Sequence, residues 1–224
     1  MEVNVSEALR YLGAGDRAPE ELRLAMEEIA HRLTARLTPR FIYRVFSLAH
    51  EPEGVRLREA DLLLTGQTAK RMLAGCGRAA LLACTLGAEF DALLRAEQAR
   101  DMARAAMLNA CGSALVEADC DAAEREIGTR FPELFLTDRF SPGYGDLPLN
   151  LQIPLCAALD TQRRLGVYVS DACLMTPVKS VSAIIGLGEA PQPARIRGCG
   201  FCAMRETCAL RKGGKTCGYE TTGE

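Results

Sequence analysis

Two stretches of the chain carry residue types that could do chemistry. The first is RFSPGYGDLP, residues 139 to 148, which concentrates an arginine, an aromatic ring and two glycines in one turn. Arg139 offers a planar fork of donors that suits a carboxylate. Gly143 and Gly145 can take backbone conformations closed to other residues, letting a ligand approach the main chain. Tyr144 could face a cation, and a sulfonium over its ring would gain roughly 0.5 to 2 kcal/mol of cation–π attraction. Ser141 lies between them. The plain alternative is a structural turn, which is what glycine and proline clusters usually make.

The second stretch holds Cys199, Cys202, Cys208 and Cys217, spaced CxxC, five residues, C, eight residues, C. A CxxC turn lets two thiolates chelate one ion, and four can complete a tetrahedral zinc site or hold an iron–sulfur cluster. The spacing does not choose between these. Arg195, Arg197, Arg205, Arg211, Lys212 and Lys215 surround them, offset thiolate charge and could dock an acidic electron carrier. The alternative is a set of free or regulatory thiols. Cys76, Cys84, Cys111, Cys120, Cys156 and Cys173 lie scattered in apolar segments and read as packing residues.

These residues need elements to position them. Residues 19 to 37 carry Leu22, Met26, Ile29, Leu33 and Leu37 at helical spacing behind Pro19 and two glutamates. FIYRVFSL (41 to 48) reads as a strand, with VRLR (55 to 58) pairing nearby. AALLACTLG (79 to 87) fits a buried strand. A long helical region follows from Glu89 to about Glu126, with a stripe of Ala103, Ala106, Met107, Ala110, Cys111, Ala114, Leu115 and Ala118. LFLTDRF (134 to 140) is a strand leading into the SPGYGDLP turn, and a helix covers 150 to 160. Residues 165 to 175 and 180 to 187 read as two strands of a hairpin joined by TPVK. The sum is an α+β fold, a twisted, mainly antiparallel sheet packed by helices. The domain runs from 1 to 188, and 189 to 224 form a linker, EAPQPA, and a small Cys-rich metal-binding appendage.

Composition narrows the function classes. The 224 residues are 48% apolar and 25% charged, as in an ordinary globular protein, and the net charge of −2 argues against nucleic acid as a partner. The start, MEVNVSEALRYLG, lacks the basic and apolar segments of a signal peptide, and no apolar run is long enough for a membrane span. A cytoplasmic location is expected. GxGxxA matches at Gly13 and Gly75 lack the strand-to-helix context of a dinucleotide site, and His31 and His50 accompany no nucleophile motif.

Arg139, Pro142, Gly143 and Tyr144 match the RxxPGY pattern of the activation domain of cobalamin-dependent methionine synthase, and SVSAIIG resembles a later strand of that family. FIYRVF, TLGAEFD, DMARAAMLNACGSALVEA, RFSPGYGDLPL and TPVKSVSAIIGL, with the Cys-rich end, resemble the small stand-alone bacterial relatives of that domain. The likeness covers most of residues 5 to 217. It implies that the protein binds S-adenosylmethionine (AdoMet) and presents it to a partner's cobalamin oxidised to cob(II)alamin, where one electron and the methyl group restore methylcobalamin. By position, Arg139 would pair with the methionine carboxylate, the Ser141 backbone would meet the adenine or ribose end, and Tyr144 would lie near the sulfonium. The implied partner is a methionine synthase or related corrinoid protein, with a flavodoxin or ferredoxin as electron donor. One departure stands out: the family follows GY with Pro-Ala-Cys-Pro, whereas Gly145, Asp146, Leu147 and Pro148 follow here. Two other functions compete. One is an electron-transfer or redox-sensing protein built on the cysteine tail with a vestigial AdoMet site. The other is an ordinary methyltransferase, for which neither a glycine fingerprint nor a catalytic base is visible.

Overall fold

A computed structural model describes residues 2–191, together with residues 206, 207 and 212. The chain opens with α1 (Val5–Tyr11), whose first turn is capped by the Asn4 side chain accepting from the Glu7 N–H at 3.1 Å. Helix α2 (Glu20–Arg36) buries Met26, Ile29, Ala30 and Leu33 at the spacing its sequence announces. Three strands follow, β1 (Arg40–His50), β2 (Gly54–Leu57) and β3 (Leu62–Thr65), then α3 (Gln67–Leu73) and β4 (Cys76–Thr85). The helical region comes as α4 (Ala88–Gln98) and α5 (Met102–Arg130). After β5 (Phe135–Leu136) and the 139–148 turn come α6 (Gln152–Leu159), α7 (Thr161–Leu165), β6 (Tyr168–Val169), β7 (Met175–Thr176) and β8 (Ser180–Gly188).

The main sheet has the order β3-β2-β1-β4-β8-β5, and every neighbouring pair is antiparallel. This is the α+β architecture expected from the sequence. Alternate residues of β4 serve two cores. Ala80, Leu82 and Cys84 face α1, α2, α4 and α5, whereas Ala79, Leu81 and Ala83 face α3, α6 and α7. The sheet is therefore the middle of three layers, and β4 and β8 are apolar on both sides.

Three expectations are corrected. Residues 165 to 175 and 180 to 187 do not form a hairpin with each other: β6 and β7 pair in a small separate ribbon, while β8 pairs with β4 from Cys76↔Gly188 to Thr85↔Ser180. The run Ala183 to Leu187 is buried on both faces, so it belongs in the centre of a sheet. The single long helix is broken, because Asp101 caps a new helix by accepting from the N–H groups of Ala103 and Arg104 at 2.8 and 3.1 Å. The strand expected over 134 to 140 shrinks to two residues, continued by one isolated bridge between Phe140 and Ile184. The linker beyond Pro191 and Cys199, Cys202, Cys208 and Cys217 lie outside the described residues.

Five of the six scattered cysteines are buried, as a packing role requires, and Cys173 is half-buried. Among the described residues, no helix is long and apolar enough to cross a membrane.

Candidate functional site

The 139–148 segment crosses the outer edge of β8. Phe140 and Ile184 exchange both backbone hydrogen bonds, at 3.0 and 2.7 Å, which fixes where the turn leaves the sheet. The Tyr144 N–H donates to the Ser141 carbonyl and the Leu147 N–H to the Tyr144 carbonyl, both at 3.0 Å. The Gly143 N–H then closes on the Leu147 carbonyl at 2.9 Å. Gly143 and Gly145 sit at φ +87° and +59°, the left-handed region where a side chain is strained. At Gly145 a Cβ would also run into the Thr68 hydroxyl.

Asp146, part of the departure from the family pattern, has a structural task. Its carboxylate accepts from the N–H groups of Gln67 at 2.6 Å and Thr68 at 2.8 Å, satisfying the start of α3 from outside that helix. The Thr68 hydroxyl, and then the N–H groups of Thr68 and Gln67, hold its pKa down at about 2. The turn is thereby pinned to α3 on one side and β8 on the other.

Beside it lies a cleft of about 670 Å³, lined by Glu117, Ser141, Gln152, Leu174, Val178 and Ser182 among others. The Ser141 hydroxyl donates to the Ser182 carbonyl at 2.7 Å, and the Ser182 hydroxyl donates to Gln152 Oε1 at 3.1 Å. These bonds hold the turn, β8 and the start of α6 as one wall. Leu149, Leu174 and Val178 are exposed at its rim.

Arg139 stands behind this wall and is buried. Its Nη1 donates to Asp121 at 2.6 Å and Glu124 at 2.5 Å, and its Nη2 donates to Glu117 at 2.5 Å. Burial opposes its charge, but Glu124, Glu117 and Asp121 outweigh burial and raise its pKa. One cation against three carboxylates leaves a local charge of −2. Asp119 and Cys120 on the same helix are buried beneath, and burial pushes the Asp119 carboxyl up to about 6.

Of the ligand contacts expected in the 139–148 turn, only Ser141 lines the cleft itself, and the others lie next to it in the same segment. Ser141 lines the cleft, Gly143 shapes the turn that carries it, Tyr144 is partly exposed in that turn, and Arg139 reaches the cleft through Glu117. The sequence reading missed Glu117, Asp121 and Glu124. Their spacing of four and three residues put them on one helical face beside the apolar stripe, a signal that was available. Gln152 and Ser182 carried no signal in their own neighbourhoods. Among the described residues, no group of three or more histidine, cysteine, aspartate or glutamate side chains could hold a metal ion.

No family model matches the sequence, and no curated protein matches it. Among solved structures, the chain is similar to the crystal structure of the MetH reactivation domain bound to AdoHcy, with a TM-score of 0.64 and 18% identity, covering 93% of this chain and 77% of that one. At that identity the likeness shows a shared fold: the protein has the α+β architecture of a methionine synthase reactivation domain.

Proposed function

We propose that the protein binds AdoMet in the cleft beside residues 139–148 and serves in trans as the reactivation component of a cobalamin-dependent methionine synthase or related corrinoid protein. The observation that carries this reading is the placing of the RFSPGYGDLP turn, through Ser141 and Pro142, on a cleft that Glu117 also lines, with Arg139 ion-paired to that Glu117 from outside the lining. The methionine end of AdoMet carries a carboxylate, an ammonium and a sulfonium. Glu117, which lines the cleft, suits the two cations, and Arg139, engaged by Glu117, Asp121 and Glu124, would take the carboxylate by exchanging one of these partners for it. Tyr144 adds an aromatic ring for the sulfonium. The neighbour of like fold binds AdoHcy, the product that AdoMet leaves after giving up its methyl group, which supports the same ligand class here.

The reaction would combine one electron, from a flavodoxin or ferredoxin, and the AdoMet methyl group with cob(II)alamin on the partner, giving methylcobalamin and AdoHcy. We place the metal of the Cys-rich segment at Cys199, Cys202, Cys208 and Cys217, as zinc or an iron–sulfur cluster, on the strength of their spacing. Elemental analysis of anaerobically purified protein tests this, and neither metal above background would sink it.

Calorimetry with AdoMet tests the ligand. Saturable binding that is weakened in Tyr144→Ala and Arg139→Ala supports the assignment, and equal affinities for all three proteins would move the site elsewhere. Mixing the protein with a synthase that lacks its own activation domain, AdoMet and a low-potential donor should then yield the methylcobalamin absorption spectrum. Unchanged cob(II)alamin, with AdoMet binding confirmed, would leave only the fold in common.

A further inference from the structure

A second pocket lies in the helical layer. It occupies about 230 Å³ between α2, α4 and α5 and is lined by Ile29, Leu33, Leu93 and Leu108 below and by Arg32, Arg36, Arg104, His31 and Glu97 around the mouth. Leu108 and Glu117 are both on α5, nine residues apart. Nine residues make two and a half turns and about 14 Å, so the pocket opens on the face of α5 opposite to the cleft. The two sites share no lining residue.

The charges at the mouth are only loosely matched. Arg36 has a close partner in Glu89 at 2.7 Å. Arg32 comes no nearer than 3.9 Å to Glu28 and 4.0 Å to Glu97, and Arg104 stands 3.5 and 3.9 Å from the same two carboxylates. Arg104 donates a long hydrogen bond to Glu28 at 3.5 Å, whereas the Arg32 contacts near 4 Å are ion pairs without a hydrogen bond. Three guanidinium groups face three carboxylates, Glu28, Glu89 and Glu97, so the mouth is balanced in charge, but only Arg36 holds its partner closely. An apolar floor beneath the weakly held forks of Arg32 and Arg104 matches a molecule that is apolar at one end and anionic at the other.

We propose that this pocket binds a small amphipathic carboxylate, its hydrocarbon end on Ile29, Leu33 and Leu108 and its carboxylate between Arg32 and Arg104. Size sets the class of ligand. A dry cavity of roughly 150 Å³ holds a benzene ring, so this one takes an aromatic acid or a medium-length acyl chain and excludes a nucleotide.

Octanoate is a suitable probe, with octylamine as the control of equal length and opposite charge. Titration followed by calorimetry and by methyl resonances of Ile29, Leu33 and Leu108 should show octanoate binding at least about tenfold more tightly than octylamine, since a charge-assisted contact to arginine is gained. Ala35 is exposed on α2 at the pocket lining, so Ala35→Trp should plug the space and abolish binding. Arg32→Gln alters a largely exposed side chain and leaves the core intact, and together with Arg104→Gln it should bring octanoate down to the octylamine level. Equal affinity for the two probes, or octanoate binding that survives both Ala35→Trp and the paired glutamine substitutions, would overturn the proposal.

Discussion

Asp119→Asn should make the protein more stable at neutral pH and remove a step in its stability between pH 4 and 6. Asp119 is buried on α5, and its Oδ2 has no hydrogen-bond partner among the described residues. Burial raises its pKa from 3.8 to about 6, with the Cys84 thiol opposing the shift. Between about pH 4 and 6 the folded protein therefore keeps a proton that the unfolded chain has already released. The folded state binds more protons there, so stability falls as pH rises through that window and stays low above it. A change from 3.8 to about 6 corresponds to about 3 kcal/mol. Asparagine has no proton to lose and fills the same volume. Urea unfolding followed by circular dichroism at pH 4.5, 5.5 and 7.5 should show the wild type losing stability relative to the variant by that amount. Parallel stability curves for the two proteins would refute the account of Asp119 as a carboxyl held neutral by burial.

The remaining expectations can be checked by thermal unfolding. Gly112→Ala should destabilise by about 1 to 3 kcal/mol despite alanine's better helix propensity, because its Cβ would run into the Phe90 ring across the α4 and α5 contact. Asp146→Ala should lower the melting temperature by uncapping α3, and Asp146→Asn should restore most of it; the contribution of the carboxylate is present above about pH 4 and fades as pH falls through about 2. Arg139→Ala should cost about 3 to 5 kcal/mol of stability, because it leaves Glu117, Asp121 and Glu124 without their shared cation. A stable Arg139→Ala variant would show that the acidic cluster has another counter-charge.

The sheet was legible wherever local pattern and burial agree. AALLACTLG is apolar enough to be buried whatever packs on it, and FIYRVFSL is aromatic and β-branched enough to be a strand although only Phe46 and Leu48 are buried; both became inner strands of the sheet. SVSAIIGL was recognised as a strand but not its neighbour, because its partner β4 lies about a hundred residues away and nothing near it encodes that pairing. The α5 stripe was half right. Cys111, Ala114 and Leu115 are buried, but in the first turns Ala105 and Leu108 take the buried face and Ala103 and Ala106 remain exposed. The 139–148 turn announced itself through glycine and arginine chemistry, whereas the wall it completes did not. Glu117, Gln152 and Ser182 come from three elements and meet only through tertiary packing.

The ladder on the outer side of β8 also bears on how the protein avoids sticking to itself. From Gly188 back to Ile184 that edge is paired with β5, Thr137 and Phe140, and the Ser182 carbonyl is taken by Ser141. From Val181 to Ser180 no backbone partner on that side exists among the described residues, and there the cleft begins. A free strand edge is normally a template for adding another chain. Here Val181 turns its own backbone groups toward β4, and the outward edge left open beside Ser180 is walled by the turn and too short for a second molecule to register against. The open main chain beside the cleft is thus kept too short to template aggregation.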